Sequence, residues 1–141
     1  MVIAKKKGSN AERELIHLFW DNGIAAARVA GSGSIKLPMP DIIAGKNKTI
    51  IAIECKNIDN DNIYFKDKEI FELEQFSIIS GMMPFVGVRI KSKGWMFLHT
   101  NSLIKTESMY VFNINKEELK NKILNFSEIV KFLNGWLVTI I

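Results

Sequence analysis

The sequence predicts an α/β fold in which a central mixed sheet of five strands is flanked by helices. Two short apolar runs, Ile42–Ala44 and Thr49–Ile53, are separated by the turn-forming residues Gly45–Lys48, an arrangement typical of a β-hairpin. A longer segment over residues 66–80 has the length of a helix and stops at Gly81. Strands that alternate with helices along a chain indicate a sheet with helices packed on its faces.

The first predicted element is a helix that starts near residue 9 and stops before Gly23. Ser9 or Asn10 can serve as its N-cap, and Glu12 stands three residues after Ser9, which fits a capping box. Glu12 also lies on the apolar face of this helix, together with Ile16, Phe19 and Trp20. A capping role for Glu12 and a role in a site on the sheet are therefore both open, and the two are compatible.

The remaining strands of the sheet follow in chain order. A first strand is predicted at residues 24–29, and a loop rich in glycine, serine and proline at residues 31–40. After the helix at 66–80, residues 84–90 and 95–99 have the composition of strands and complete the five-stranded sheet.

Patterns beyond residue 99 are weaker. Residues 110–112 are predicted to form a short edge strand, and residues 116–124 and 127–133 to form helical turns on the far side of the sheet. The apolar segment 136–141 is interpreted as either a strand at a dimer interface or a packed terminus. Because 141 residues can bury one core and no repeat or linker is found, a single domain over residues 1–141 is expected.

Composition restricts the classes of partner and compartment. A net charge of +4 and a pI of about 9.2 suit an anionic partner, although 15 acidic against 19 basic residues favours nucleic acid modestly. The single cysteine, Cys55, excludes an internal disulfide, and no Cys/His set has the spacing of a zinc site, so a reducing cytoplasm is expected. No apolar run reaches the ~20 residues of a membrane helix, so a membrane is not an expected partner.

Asp41, Glu54 and Lys56 form the most informative pattern in the sequence. Asp41 opens the first strand of the hairpin and Glu54 and Lys56 close the second, so the three lie at one edge of the sheet. Side chains alternate along a strand, so Glu54 and Lys56 share one face and Cys55 takes the other. One or two carboxylates commonly hold Mg²⁺, and a neighbouring lysine can orient a nucleophile or neutralise a phosphorane. The pattern therefore predicts a Mg²⁺-dependent phosphodiesterase.

Taken alone, this pattern has an ordinary alternative: Asp41 as a turn residue at the start of a strand, and Glu54 with Lys56 as a solvated ion pair. Segments along the chain together match the sequence pattern of one family of proteins. These segments are residues 7–15, 27–34, 38–44, 53–56, 63–65 and 94–97. On these segments the sequence resembles the archaeal Holliday junction resolvases, a branch of the type II restriction endonuclease-like nucleases.

The resemblance implies a restriction endonuclease-like fold and a structure-selective endonuclease that acts as a two-fold homodimer. Such an enzyme binds four-way DNA junctions by shape and nicks two opposing strands with Mg²⁺, for which Mn²⁺ is expected to substitute. The catalytic positions of the family correspond here to Glu12, Ser32, Asp41, Glu54 and Lys56. The metal ligands implied are Glu12, Asp41, Glu54 and the backbone carbonyl of Cys55.

Basic residues cluster around the predicted site. These residues are Lys5, Lys6, Lys7, Arg13, Arg28, Lys36 and Lys66. We expect them to contact DNA phosphates, and each such contact adds to the salt dependence of DNA binding. For residues 5–7 a solvated, frayed terminus is the alternative interpretation.

The chain departs from the family at one position near the site. Relatives often carry a glutamine early in the helix that follows the Glu-x-Lys strand, and the counterpart here is Glu69, with Gln75 further along. Two other functions stay open on the sequence alone. One is a nuclease of the same chemistry acting on linear or flapped duplex, and the other is a non-catalytic DNA-binding module.

Overall fold

A computed structural model of the chain describes residues 2–29 and 36–136, with side chains from residue 8 onward. The α-helices in these ranges are α1 (Val2–Asp21), α2 (Asp67–Ser80) and α3 (Phe126–Leu133), and Thr100–Ser102 and Glu117–Leu119 form short 3-10 helices. The strands are β1 (Ala25–Arg28), β2 (Ile42–Lys46), β3 (Thr49–Asn57), β4 (Asn62–Lys66), β5 (Met83–Ile90), β6 (Gly94–His99), β7 (Ile104–Lys105), β8 (Met109–Asn113) and β9 (Leu124–Asn125). Within this part of the chain, no helix is long and apolar enough to cross a membrane.

Helix α1 begins seven residues earlier than the sequence predicted. It starts at Val2, so Ser9 and Asn10 lie inside the helix and the predicted N-cap and capping box are wrong. The residues before Ser9 include alanine and three lysines, which are good helix formers, and a single Gly8 costs a helix about 1 kcal/mol. The end of the helix is as predicted: Gly23 has a φ of 76°, which favours glycine at a helix C-terminus.

The main sheet contains all five predicted strands, in the order β1-β2-β3-β5-β6, and a sixth, β9, at its edge. Strands β3 and β5 are parallel and the other neighbours are antiparallel, so the sheet is mixed, as expected. Strand β9 is two residues long and pairs with Met96 and Phe97. Helix α2 lies in the crossover that connects the two parallel strands.

The hairpin of β2 and β3 forms where the sequence predicted it. Its turn residues Asn47 and Lys48 have φ values of 49° and 74°, and two positive φ values match the right-handed twist of a two-residue hairpin. Gly45 is required beside this turn, because a Cβ there would lie 2.8 Å from the carbonyl oxygen of Thr49. The hairpin thereby fixes which residues of β3 stand opposite the start of β2.

A second, three-stranded sheet has the order β4-β8-β7 and was only partly foreseen. Strand β4 was not predicted as a strand, although its residues alternate between exposed and buried, with Ile63 and Phe65 buried. The strand predicted at residues 110–112 is β8, but it lies in the middle of this sheet rather than at an edge. The small sheet is packed against the same face of the main sheet as α2.

Apolar residues fill both faces of the main sheet. Ile51 and Ile53 of β3 pack with α1 and α3, whereas Ala52 packs with α2 and the small sheet. Because side chains alternate, Glu54 and Lys56 continue the face of Ala52, and Cys55 packs against the core under α1. The predicted division of these residues between the two faces is confirmed.

Candidate active site

Asp41 is fixed between two strands by its backbone. Its N–H donates to the carbonyl of Ile53 at 2.9 Å, and its carbonyl accepts from the N–H of Val29 at 2.9 Å. Its carboxylate oxygen Oδ2 accepts a hydrogen bond from the N–H of Cys55 at 2.8 Å. This contact holds the Asp41 carboxylate against the strand segment that carries Glu54 and Lys56.

The pKa of Glu54 is shifted further than that of Asp41. The Glu54 pKa is raised to about 9, first because the group is buried and then because Asp41 and Glu69 place negative charge nearby, with Lys56 opposing them. The pKa of Asp41 is raised to about 6 by burial, and Glu12 and Glu69 raise it further. The hydrogen bond from Cys55 and the charge of Lys56 oppose this rise. The positive charge of Lys56 is therefore too small to offset the effect of burial and of the neighbouring carboxylates on the two pKa values.

The ammonium group of Lys56 is held on the α2 side of the sheet. Its Nζ lies 3.1 Å and 3.3 Å from the two carboxylate oxygens of Glu69, and 5.4 Å from the ring centre of Phe65. The side chains of Lys56 and Glu69 are 24% and 25% exposed, so the pair is largely shielded from water. Lys56 is thus oriented by the first turn of α2 and the last residues of β4.

Glu12 lies on the opposite side of the site, in a second ion pair. The Nε of Arg28 donates to Glu12 Oε1 at 2.8 Å, and the Nη2 of Arg28 donates to the hydroxyl of Ser9 at 3.0 Å. The Glu12 side chain is 17% exposed and raises the pKa of both Asp41 and Glu54. It therefore points from α1 toward the hairpin, as its position on the helical face indicated.

The oxygen donors of this site suit a hard divalent cation. Asp41 and Glu54 are partly buried carboxyl groups whose ionisation is disfavoured, and a cation between them would offset both burial and mutual repulsion. Within the described ranges, no three side chains of His, Cys, Asp or Glu converge to form a ready-made cage. Mg²⁺ is commonly held by one or two carboxylates together with water and phosphate, so two carboxylates fit its requirements.

The predicted DNA-contacting residues fall into three groups. Arg13, Lys36 and Lys66 are exposed, and Lys66 is the residue from which α2 begins. Arg28 is partly buried and bonded to Glu12, so it belongs to the site itself. The side chains of residues 5–7, and the whole of Ser32, lie outside the described residues.

Sequence reasoning did not assign Glu69 to the site. It is the third residue of α2, and its carboxylate also accepts the backbone N–H of Lys66 at 2.9 Å, as in a capping box. The sequence did carry a signal for the cap, namely a glutamate three residues after the position where α2 begins. The pairing of Glu69 with Lys56 depends on how α2 crosses β3, which local sequence patterns do not determine.

Together, the mixed sheet and this cluster define a class of protein. A restriction endonuclease-like nuclease fold has these features: an aspartate before one strand, a Glu-x-Lys at the end of the next strand, and helices on both faces of the sheet. The chain belongs to the archaeal Holliday junction resolvase family, Hjc, whose family model matches residues 3–135.

Individual relatives agree with this assignment. The chain is 37% identical over 106 residues to the crossover junction endodeoxyribonuclease Hjc of Archaeoglobus fulgidus, covering 75% of this chain and 78% of that protein. It is 36% identical over 134 residues to the Hjc of Sulfolobus acidocaldarius, covering 93% and 91% of the two chains. The solved structure of A. fulgidus Hjc, described as a Holliday junction resolvase, superposes with a TM-score of 0.79 and 31% identity over 87% of this chain and 99% of that chain.

Proposed function

We propose that this protein is a crossover junction endodeoxyribonuclease that resolves four-way DNA junctions by hydrolysing one phosphodiester bond in each of two opposing strands. The observation that carries this proposal is the convergence of Asp41, Glu54 and Lys56, with raised carboxyl pKa values, in a chain of the Hjc family. Perturbed carboxyl groups gathered at one sheet edge favour a reactive site over a solvated surface pair.

Each residue of the site has a defined part in this proposal. Asp41 and Glu54, with the carbonyl of Cys55, would hold a cation that binds the scissile phosphate, and Glu12, which is paired with Arg28, would bind a water molecule of that cation. Lys56 donates to a phosphate oxygen or to the attacking water, where its fixed positive charge stabilises the pentacovalent transition state. Ser32 and the basic residues named above contact the DNA backbone near the cut.

Mg²⁺ is the cofactor that we propose for these carboxylates, with Mn²⁺ as a substitute. A bound Mg²⁺ would lower the pKa of a water molecule and stabilise the charge that develops on the phosphate. The protein supplies the backbone contact that holds the Asp41 carboxylate against the strand of Glu54, and the buried setting in which a cation would favour ionisation of both groups.

We propose a homodimer, because one chain carries one such cluster among its described residues and paired incision uses two. Helix α2 offers a surface for this contact. Its buried face contains Ile70 and Leu73, and its opposite face leaves Phe71, Ile78 and Ile79 exposed at 64%, 82% and 81%. Large apolar side chains that are this exposed on one helix face are typical of an interface. We propose that the α2 helices of two subunits pack on each other around a two-fold axis.

Cleavage of matched DNA substrates tests the proposed function. The protein is expected to cut a four-way junction in Mg²⁺ on opposing strands and to leave a linear duplex of the same sequence largely intact. Asp41→Asn and Glu54→Gln should abolish cutting while junction binding, measured by gel shift in Ca²⁺, persists. Equal cleavage of both substrates would instead indicate a nuclease acting on other DNA. Binding without cutting by the wild-type protein would indicate a non-catalytic module.

A further inference from the structure

Lys56 is the side chain whose positive charge the proposed chemistry uses at the scissile phosphate, so its exact position matters for the rate. A lysine side chain has four rotatable bonds, and an ammonium group at its end is not oriented unless other groups hold it. In this protein the ammonium has two such groups, the carboxylate of Glu69 and the ring of Phe65.

Glu69 is itself fixed at both ends. Its Oε1 accepts the N–H of Lys66 at 2.9 Å at the start of α2, and both of its oxygens face the ammonium of Lys56. A carboxylate that is tied to the helix backbone can hold an ammonium group at a fixed place relative to the strand. Charge-assisted hydrogen bonds of this kind are about twice as strong as neutral ones.

From this geometry we infer that Glu69 is a positioning residue, which orients the Lys56 ammonium toward the scissile phosphate through the first turn of α2. The inference rests on the proposed function, because it assigns a purpose to the position of Lys56 in that reaction. Glu69 touches neither the DNA nor the metal ion, and it acts through Lys56 alone. The two ammonium–carboxylate contacts leave the lysine a remaining N–H with which to donate to DNA.

Single-turnover cleavage of a four-way junction tests the inference. Glu69→Gln keeps the shape of the side chain and an oxygen for the helix cap, but it removes the charge that holds Lys56. We expect its cleavage rate to fall by about 5- to 20-fold, and that of Glu69→Ala by about 100-fold, because small displacements of a reacting group cost rates of this order. The junction dissociation constant should stay within about twofold of the wild-type value. The matched control is Glu72→Gln, which makes the same change on the same helix at a residue paired with Lys68 at 3.9 Å rather than with Lys56.

A double-mutant comparison separates positioning from a general structural role. In a Lys56→Ala background, adding Glu69→Ala should cause no further loss of rate, since the group that Glu69 positions is already gone. A structural role would slow both backgrounds by the same factor, and that result would overturn the inference.

Nuclear magnetic resonance gives a readout that needs neither catalysis nor metal. The ε-methylene group of Lys56 should show restricted motion in the wild-type protein and in Glu72→Gln, and free motion in Glu69→Ala. Equal restriction in all three would overturn the inference. If the wild-type protein fails to cut junctions, the proposed function fails. Wild-type rates in Glu69→Ala beside an inactive Asp41→Asn would refute the positioning role alone.

Discussion

At the scale of single residues, the described side chains of the site carry more negative than positive charge. Glu12, Asp41, Glu54 and Glu69 interact there with Arg28 and Lys56, and each of the two cations is already paired with a glutamate. Burial and the repulsion between carboxylates therefore disfavour ionisation of Asp41 and Glu54. Without a bound cation, both groups are shifted toward their protonated forms, Glu54 more than Asp41.

This charge balance predicts how stability depends on pH. The pKa of Glu54 is raised from 4.5 to about 9 on folding, so the folded state binds more protons than the unfolded state between these values. The stabilising contribution is complete below about pH 4.5 and is lost as the pH rises toward 9. Glu54→Gln removes this pH-dependent loss of stability, because an amide does not titrate. In EDTA at pH 8.5 the variant should therefore be more stable than the wild type by roughly 1–3 kcal/mol in urea denaturation.

The comparison at low pH is the control for this prediction. At about pH 4 the Glu54 carboxyl is protonated in both the folded and the unfolded protein and resembles the amide, so the two proteins should unfold at similar urea concentrations. Adding Mg²⁺ at pH 8.5 should raise the stability of the wild type and not that of Glu54→Gln, because the cation binds the ionised carboxylate. A stability difference that is the same at both pH values would contradict the raised pKa.

The sequence predicted the residues of this site unevenly. Asp41, Glu54 and Lys56 were found because they flank one hairpin, whose register follows from a short-range pattern of apolar and turn residues. The pairings of Glu12 with Arg28 and of Lys56 with Glu69 join residues from different elements. Such contacts depend on how the helices pack on the sheet, and local sequence patterns carry no information about that packing.

At the scale of elements, strand β5 is enclosed between β3 and β6 at Gly87. A Cβ at this position would lie 3.0 Å from Ile53 Cγ2 and 3.1 Å from Phe97 Cε1, and all three residues are buried. Gly87 also stands opposite Cys55 in the parallel pairing, so any displacement reaches the strand that carries Glu54. The close packing of the sheet therefore extends up to the site.

We predict that Gly87→Ala destabilises the protein by about 1–3 kcal/mol, because the added methyl group overpacks the core. Urea denaturation measures the change. Gly8→Ala in α1 is the matched control, since a Cβ there has no atom within 4 Å. Alanine favours helix over glycine, so this variant should gain about 0.5–1 kcal/mol. Wild-type stability in Gly87→Ala would mean that β5 is less tightly enclosed than described.

The elements themselves were largely predictable where a periodic pattern ended in a turn or a glycine. Helix α2, with its stop at Gly81, and the hairpin are examples. The start of α1 was mispredicted because Ser9 and Glu12 form a valid capping motif in sequence, while the residues before them also favour a helix. Strand β4 was missed because its five residues gain their stability from pairing with β8, which lies about 50 positions away along the chain.

At the scale of the whole molecule, the exposed face of α2 predicts the assembly. Replacing Ile78 with glutamate places a charge in the proposed dimer contact, at a side chain that is 82% exposed in the single chain. Ile78→Glu should sediment as a monomer and should nick junctions on one strand at a time, since paired incision needs two subunits. Burying an unpaired charge in an apolar interface costs several kcal/mol, enough to dissociate a dimer of ordinary affinity.

Ile50→Glu is the control for this substitution. Ile50 lies on β3, and its side chain is 38% exposed. The same change there should leave the wild-type sedimentation coefficient unaltered. A dimeric Ile78→Glu protein would show that the subunits meet through another surface.

Helix α2 has one further consequence, which concerns where the two cuts fall. Glu69 is in its first turn and Ile79 near its last, ten residues apart, which at 1.5 Å per residue is about 15 Å. In a symmetric pair joined through these helices, the point along α2 at which the two helices cross sets how far each Lys56 stands from the axis. A relative whose helices crossed one turn nearer to Glu69 or further from it would therefore cut the same branched DNA at shifted nucleotides, although every reactive group was unchanged.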